Sequence, residues 1–333
     1  MLNGLLSKVK KRYGAKTMKK IKIIAIAKDE APYLAEWIYH HLYFGFDSIT
    51  VYVNRSSDLS ADILEAISLK EPRVDWKSGD WVDYLGDGIR THLQQILYAK
   101  AYNEAIEQGF THVLFIDIDE FWLPLDFSLS IKSFLESFEE KASISFQWFC
   151  ELGSGENIFQ PLSKNIRGVN NLNVKTLINL AGGIRRIGIH IPILDKGAAH
   201  HYFADGRRFV RDKNKTQLSS KDFLGTKNAV IVHRIYRSRL EFLATLMRGR
   251  PSKPDQWKGN RGRYFTNSKL QHEIKISDGL WDAYSSGYSS FISAFSLDDM
   301  IVKARESVLL RAKNATSELM QLDPGNELLK ISK

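Results

Sequence analysis

Val113-Leu114-Phe115-Ile116-Asp117-Ile118-Asp119-Glu120-Phe121-Trp122 is the stretch that decides the fold. Val113 to Ile116 is apolar and β-prone with no outward polar alternation, the pattern of a strand buried on both faces of an α/β sheet. The run ends abruptly in acids. On an extended chain, residues i and i+2 point the same way, so Asp117 and Asp119 are expected on one face while Ile118 returns to the core. Ligands of open α/β sheets collect at the carboxyl ends of the strands, and paired carboxylates there suit a divalent cation and a phosphate-bearing ligand. The plainer alternative is a strand end carrying solvated acids.

Working outward, Ile21 to Ala27 reads as the first buried strand, with Lys28, Asp29 and Glu30 at its end. Pro32 opens a helix running to about Phe44, and Gly45 stops it. Ile49 to Val53 is a second strand and Val74 to Trp76 a third, with a helix through Ile63 and Leu64 between them. A long helix over Thr91 to Glu107 leads into the quoted stretch. A helix at Leu129 to Phe138 and a strand at Ile144 to Trp148 follow. Such alternation predicts an α/β fold with a mostly parallel sheet and helices on both faces. Past Cys150 the rhythm gives way to glycines and short β-like pieces. Ala229 to Val232 is a further strand, ending in His233, and Arg237 to Arg248 a basic amphipathic helix. Residues 251–290 read as loop-rich cover and Leu297 to Leu322 as a packing helix. The expected division is a basic leader over 1–20, a main domain over 21–250 and an extension over 251–333.

The 333 residues suffice for a large core, and 44% hydrophobic and 26% charged residues are ordinary for a globular protein. Cys150 is the only cysteine, which excludes an intramolecular disulfide and fits a reducing, cytoplasmic setting. The net charge of +9 is uneven: residues 1–20 carry +7 and residues 205–275 carry +12, leaving the remainder acidic. The leader has Leu2, Leu5, Leu6 and Val9 at helical spacing among lysines, so peripheral contact with the inner face of the cytoplasmic membrane is one reading and a solvated leader the other. Basic patches also attract nucleic acid, but no recognised binding module supports that partner.

Four stretches together resemble glycosyltransferases of the GT-A fold, close to family 2 and its family 92-like relatives of the bacterial surface-glycan type. They are Ala27-Lys28-Asp29-Glu30-Ala31-Pro32-Tyr33-Leu34 with Glu36, Trp37 and His40; Val51-Tyr52-Val53-Asn54-Arg55-Ser56-Ser57-Asp58; Ala101-Tyr102-Asn103-Glu104-Ala105 leading to Phe115–Phe121; and His233-Arg234-Ile235-Tyr236-Arg237-Ser238 with Glu241, Phe242, Arg248 and Gly249. The resemblance covers about residues 21–250, with Asp29 and Arg237 departing from the usual asparagine and lysine, and 151–225 matching poorly. It implies transfer of a sugar from a nucleotide-sugar donor, a UDP-sugar first, to a saccharide or lipid-linked saccharide in polysaccharide biosynthesis, such as lipopolysaccharide or capsule.

The resemblance also assigns roles. Asp119 and Asp117 would hold Mn²⁺ or Mg²⁺, one of them instead holding the ribose, with His233 completing the site or, alternatively, serving as a satisfied core histidine. Lys28, Asp29, Glu30, Asn54 and Asp58 would line the nucleotide pocket, joined less directly by Arg90 and Gln94 or Gln95. Arg234, Arg237 and Arg248 would meet the leaving diphosphate. Inverting transfer needs a general base, for which Glu156 in the Gly153–Glu156 turn is the first candidate and Glu151 the second. His190, His200 and His201 are acceptor-side candidates. Two rival enzyme classes fit less well. An aspartyl-phosphate phosphatase wants its Asp-x-Asp on the first strand, and a nucleotidyltransferase wants a glycine-rich phosphate loop where Lys28-Asp29-Glu30 stands.

Overall fold

The computed structural model of the protein describes residues 18–194, 200–215, 217–225, 227–249, 257–258 and 264–322. The basic leader therefore falls outside the described residues up to residue 17. Strands β1 (Ile21–Ala27), β2 (Ser48–Val53), β3 (Val74–Ser78) and β4 (His112–Phe115) run parallel in the order β3-β2-β1-β4. Strand β1 serves two cores by strict alternation. Ile21, Ile23, Ala25 and Ala27 join the larger one with α1 (Ala31–Tyr43) and α2 (Ser60–Ser68), while Ile24 joins Leu97 and Tyr98 of α3 (Leu93–Glu107) on the opposite face. Gly45 ends the turn after α1 in the left-handed region, at φ +82°.

Beyond β4 the sheet is mixed, which corrects the mostly parallel expectation. Its order continues β4-β7-β6-β11-β5, built from β5 (Glu120–Pro124), β6 (Ala142–Glu151), β7 (Asn165–Asn179) and, after the small hairpin of β8 (Ile184–Arg186) and β9 (Ile193–Leu194), β10 (His200–Phe203) and β11 (Ala229–His233). Strand β7 is antiparallel to both β4 and β6, and β11 is parallel to β6 but antiparallel to β5. Strand β10 lies beside the start of β6, and β12 (His272–Lys275) beside the start of β7. The register of β6 on β7 slips at Gln147/Trp148, a bulge of the kind that re-aims a side chain. The quoted stretch is thus two strands rather than one. Between them Glu120 N–H donates to Asp117 O at 3.0 Å, so the acids sit in a tight turn and not on one face of a strand.

The short helix α4 (Ile131–Leu135) is followed much later by α5 (Arg239–Leu246), α6 (Asp278–Phe295) and α7 (Asp298–Leu322). Helix α6 occupies part of the segment expected to be loop. Its serines and Gly287 mask an apolar stripe of Trp281, Tyr284, Tyr288, Phe291 and Phe295 that packs on the main core. Gly287 is needed there, since a Cβ would overlap the Tyr39 hydroxyl, which donates to Tyr284 O at 2.8 Å. With α6 over one side and the sheet on the other, α1 is buried nearly all round. Among the described residues no helix is long and apolar enough to cross a membrane.

Five histidines tie folding to pH. Burial pushes His40 and His201 down to about 3, His112 and His190 to about 4, and His41 well below its usual range. Each stays neutral in the fold but takes up a proton near pH 6.5 once unfolded, so each removes stability as pH falls below that value, by about 1.4 kcal/mol per pH unit. Urea unfolding at pH 7, 6 and 5 is expected to show falling stability, with protons taken up on unfolding. A midpoint that does not move over that range would contradict these burials.

Candidate active site

The turn Asp117–Glu120 is held from three sides. The Trp37 indole N–H of α1 reaches both Asp117 O, at 3.1 Å, and Glu120 O, at 2.8 Å. The Glu120 carboxylate accepts from Asp117 N–H at 2.9 Å. From β7, the fully buried ammonium of Lys175 lies 3.2 Å from Asp117 Oδ2 and 3.1 Å from Glu120 Oε2. Burial works against the lysine's charge, but the two carboxylates outweigh it and hold it above the ordinary range. The sequence reading missed Lys175. The available signal was a lysine between Val174 and Thr176-Leu177, where a strand facing solvent has no reason to be apolar.

The turn sends its acids in different directions. The Asp117 side chain is 41% exposed and faces Lys175, whereas that of Asp119 is 10% exposed and faces His233. Arg234 N–H donates to Asp119 O at 2.8 Å, fixing the end of β11 against the turn. In that register His233 lies opposite Glu120 and beside Cys150. Its Nε2 is then 3.5 Å from Asp119 Oδ2, and its Nδ1 is buried without a hydrogen-bond partner. The Trp148 ring, turned at the bulge, lies 4.1 Å from the imidazole and 5.4 Å from that of His190. His190 is set by its Nδ1, 3.0 Å from Val174 O, and is pushed down to about 4 by burial and by Lys175.

Two ligands bonded at ~2.1 Å and at right angles around one ion are about 3 Å apart, so Asp119 and His233 are spaced to meet the same cation. No three of His, Cys, Asp and Glu gather in this way among the described residues. Asp117 therefore does not complete the expected triad, because Lys175 draws its carboxylate aside. A two-ligand site suits Mg²⁺ or Mn²⁺, which commonly leave most positions to water and substrate phosphate.

Beside the pair, Glu30 at the end of β1 meets Arg248 and lies 3.6 Å from Arg237. The Arg237 guanidinium stacks 3.3 Å over the Tyr33 ring. Burial opposes both charges, but Glu30, Tyr33 and the nearby charge of Asp119 prevail and raise both groups. These two cations thus lie within electrostatic reach of Asp119. Arg234 does not join them: its guanidinium is taken by Glu151 at 2.7 Å, Glu36 at 3.2 Å and Gln160 O at 2.8 Å.

The other expected pocket residues are engaged in shaping loops. Asp29 accepts from Ser57 N–H at 2.8 Å, and Asp58 from Ala31 N–H at 3.0 Å, tying the ends of β1 and β2 together. Asn54 donates to Asp80 at 3.1 Å, and Lys28 Nζ donates to Arg248 O at 2.8 Å. Arg90 pairs with Asp87 on an exposed helical turn, and Gln94 donates to the Tyr98 hydroxyl. Glu151 holds Arg234 and Glu156 holds Arg239. Glu241, in the fourth quoted stretch, closes a capping box with Ser238. His200 pairs with Glu139 at 2.6 Å, and half-buried His201 has its Nε2 2.8 Å from Ser145 Oγ, so neither reaches the Asp119–His233 pair through these contacts.

No protein-family profile and no curated protein matches the chain. Among solved structures, the crystal structure of HddC from Yersinia pseudotuberculosis is similar over 56% of this chain and 91% of that one, at 10% identity. Its TM-score of 0.28 is too low to support an argument about fold or activity.

Replacing Lys175 by Met removes the one cation between two carboxylates in a buried site. Stability is expected to drop by about 3–5 kcal/mol in urea unfolding, as for a broken buried ion pair. A loss below 1 kcal/mol would show that the turn does not depend on the ammonium.

Proposed function

We propose that the chain is a glycosyltransferase of GT-A type that transfers a sugar from a nucleotide-sugar donor, a UDP-sugar first, to a saccharide or lipid-linked saccharide. The observation that supports this best is the approach of Asp119 and His233 to 3.5 Å at the carboxyl-end edge of the sheet, with Arg237 and Arg248 alongside. A diphosphate leaving group gathers negative charge as the glycosidic bond breaks. Asp119 and His233 would hold Mg²⁺ or Mn²⁺, which supplies Lewis-acid stabilisation of that charge. Arg237 and Arg248 add fixed positive charge on the same side and are preorganised by Glu30 and Tyr33. Lys175 keeps the turn from rotating Asp119 away, which makes it a positioning residue. The loops tied by Asp29, Asp58 and Asn54 close the edge where the nucleoside would lie.

For an inverting reaction the proton of the acceptor hydroxyl must pass to a base. Glu156 is retained for this role over Glu151, since its side chain is 46% exposed against 14%. The sequence resemblance further suggests surface-glycan assembly at the cytoplasmic side of a membrane as the setting of this reaction.

The test is a thermal-shift titration with UDP, with and without Mn²⁺. Stabilisation by UDP is expected only with the metal, absent in Asp119→Asn and at least tenfold weaker in His233→Ala, the loss of one metal ligand. An undiminished response in both variants would remove the pair from the site and the proposal with it.

A further inference from the structure

A cavity of about 480 Å³ shares only Arg237 with the scheme above. It opens between the end of β6, the segment that leads into β7, and α6. Its lining includes Ser154, Asn157, Gln160, Arg167, Arg237 and Trp281.

Three features define what it would take. First, Ser154 and Asn157 flank Glu156 in the chain, so the cavity borders the turn that carries the residue retained as base. Second, the lining has four cations, Lys164, Arg167, Arg234 and Arg237, against two carboxylates, Glu151 and Glu241. Both carboxylates are already engaged, Glu151 by Arg234 and Glu241 by Ser238 and the Tyr33 hydroxyl. Of the cations, Lys164 is paired with Asp278, Arg234 with Glu36 and Glu151, and Arg237 faces Glu30, which leaves Arg167 with no carboxylate partner among the described residues. The Arg237 guanidinium is 9% exposed and its Nε is buried with no hydrogen-bond partner, while its backbone is held in the left-handed region at φ +47°. That guanidinium borders the cavity, where a carboxylate or phosphate of a ligand is suited to pair with it. Third, Trp281 supplies an indole, the surface on which the C–H face of a pyranose ring rests, among amides and hydroxyls suited to sugar hydroxyls.

We propose that this cavity is the acceptor subsite and that its acceptor is an acidic saccharide, one carrying a carboxylate or phosphate group. The inference rests on the glycosyltransferase reading and adds the acceptor's chemical class to it. Arg237 then stands between the two halves of the reaction: one edge faces Glu30 and Asp119, and the other faces the acceptor cavity.

The experiment is ligand-observed saturation-transfer NMR on the full chain saturated with UDP and Mg²⁺, probed with glucuronate, N-acetylneuraminate, glucose 6-phosphate and glucose. Binding of at least one of the three acids with no response from glucose is expected, and the responding arm separates carboxylate from phosphate recognition. Arg167→Ala and Trp281→Ala are each expected to weaken that binding about tenfold or more, the effect of one lost charge-assisted or stacking contact. Their UDP-dependent thermal shift should stay at the wild-type value, which reports intact folding. No response from any acid, an equal response from glucose, or full retention of binding in both variants would overturn the proposal. Acid binding in a protein that shows no UDP response at all would instead overturn the donor assignment and leave the cavity a sugar-acid site.

Discussion

A single buried ammonium organises the centre of this protein. Lys175 reaches from β7 with its side chain fully buried, and it is tolerable there only because Asp117 and Glu120 converge on it. The converse holds equally. Three acids within four residues repel one another, and the turn that contains them stays compact because the lysine and the Trp37 indole gather its carboxylates and carbonyls. The lysine spends its two contacts on Asp117 and Glu120, which leaves Asp119 as the acid turned toward His233.

Topology delivers the partner. Because β11 lies between β6 and β5, its last residue, His233, stands beside Cys150 on one side and Glu120 on the other. The same strand end carries Arg234, whose backbone N–H fastens to Asp119 O while its side chain turns away to Glu36 and Glu151. One residue thus serves as a structural brace immediately after one placed for chemistry. Three residues later Arg237 adopts a left-handed backbone, which lets its guanidinium lie over Tyr33 and back toward Glu30. Strain of that kind is commonly found where a site over-determines the chain's path.

Much of the first half was legible from local pattern. Strand β1, helix α1, β2, β3, α3 and β4 fall within two or three residues of their expected places, because each has an unbroken apolar period and a clear stop such as Gly45. Strand β7 was not legible. Asn170, Asn171 and Asn173 give it poor strand propensity, and its pairing with β6, β4 and β12 overrides that. Helix α6 was hidden for a similar reason: Ser285, Ser286, Gly287, Ser289 and Ser290 look like loop composition, yet the aromatic residues among them recur at helical spacing.

What the sequence alone determined is the parallel half of the sheet and the presence of acids at the end of its fourth strand, since both follow from periodicity within short windows. It also marked His233, Arg237 and Glu30 as chemically notable without indicating their relations. The tertiary structure alone decided that Asp117 belongs to Lys175 and Asp119 to His233, and that Arg234 is a brace while Arg237 and Arg248 gather around Glu30. Those choices depend on charges brought within a few ångströms by strand order, and electrostatic energy in a dry interior varies with such distances far more steeply than anything a local pattern records.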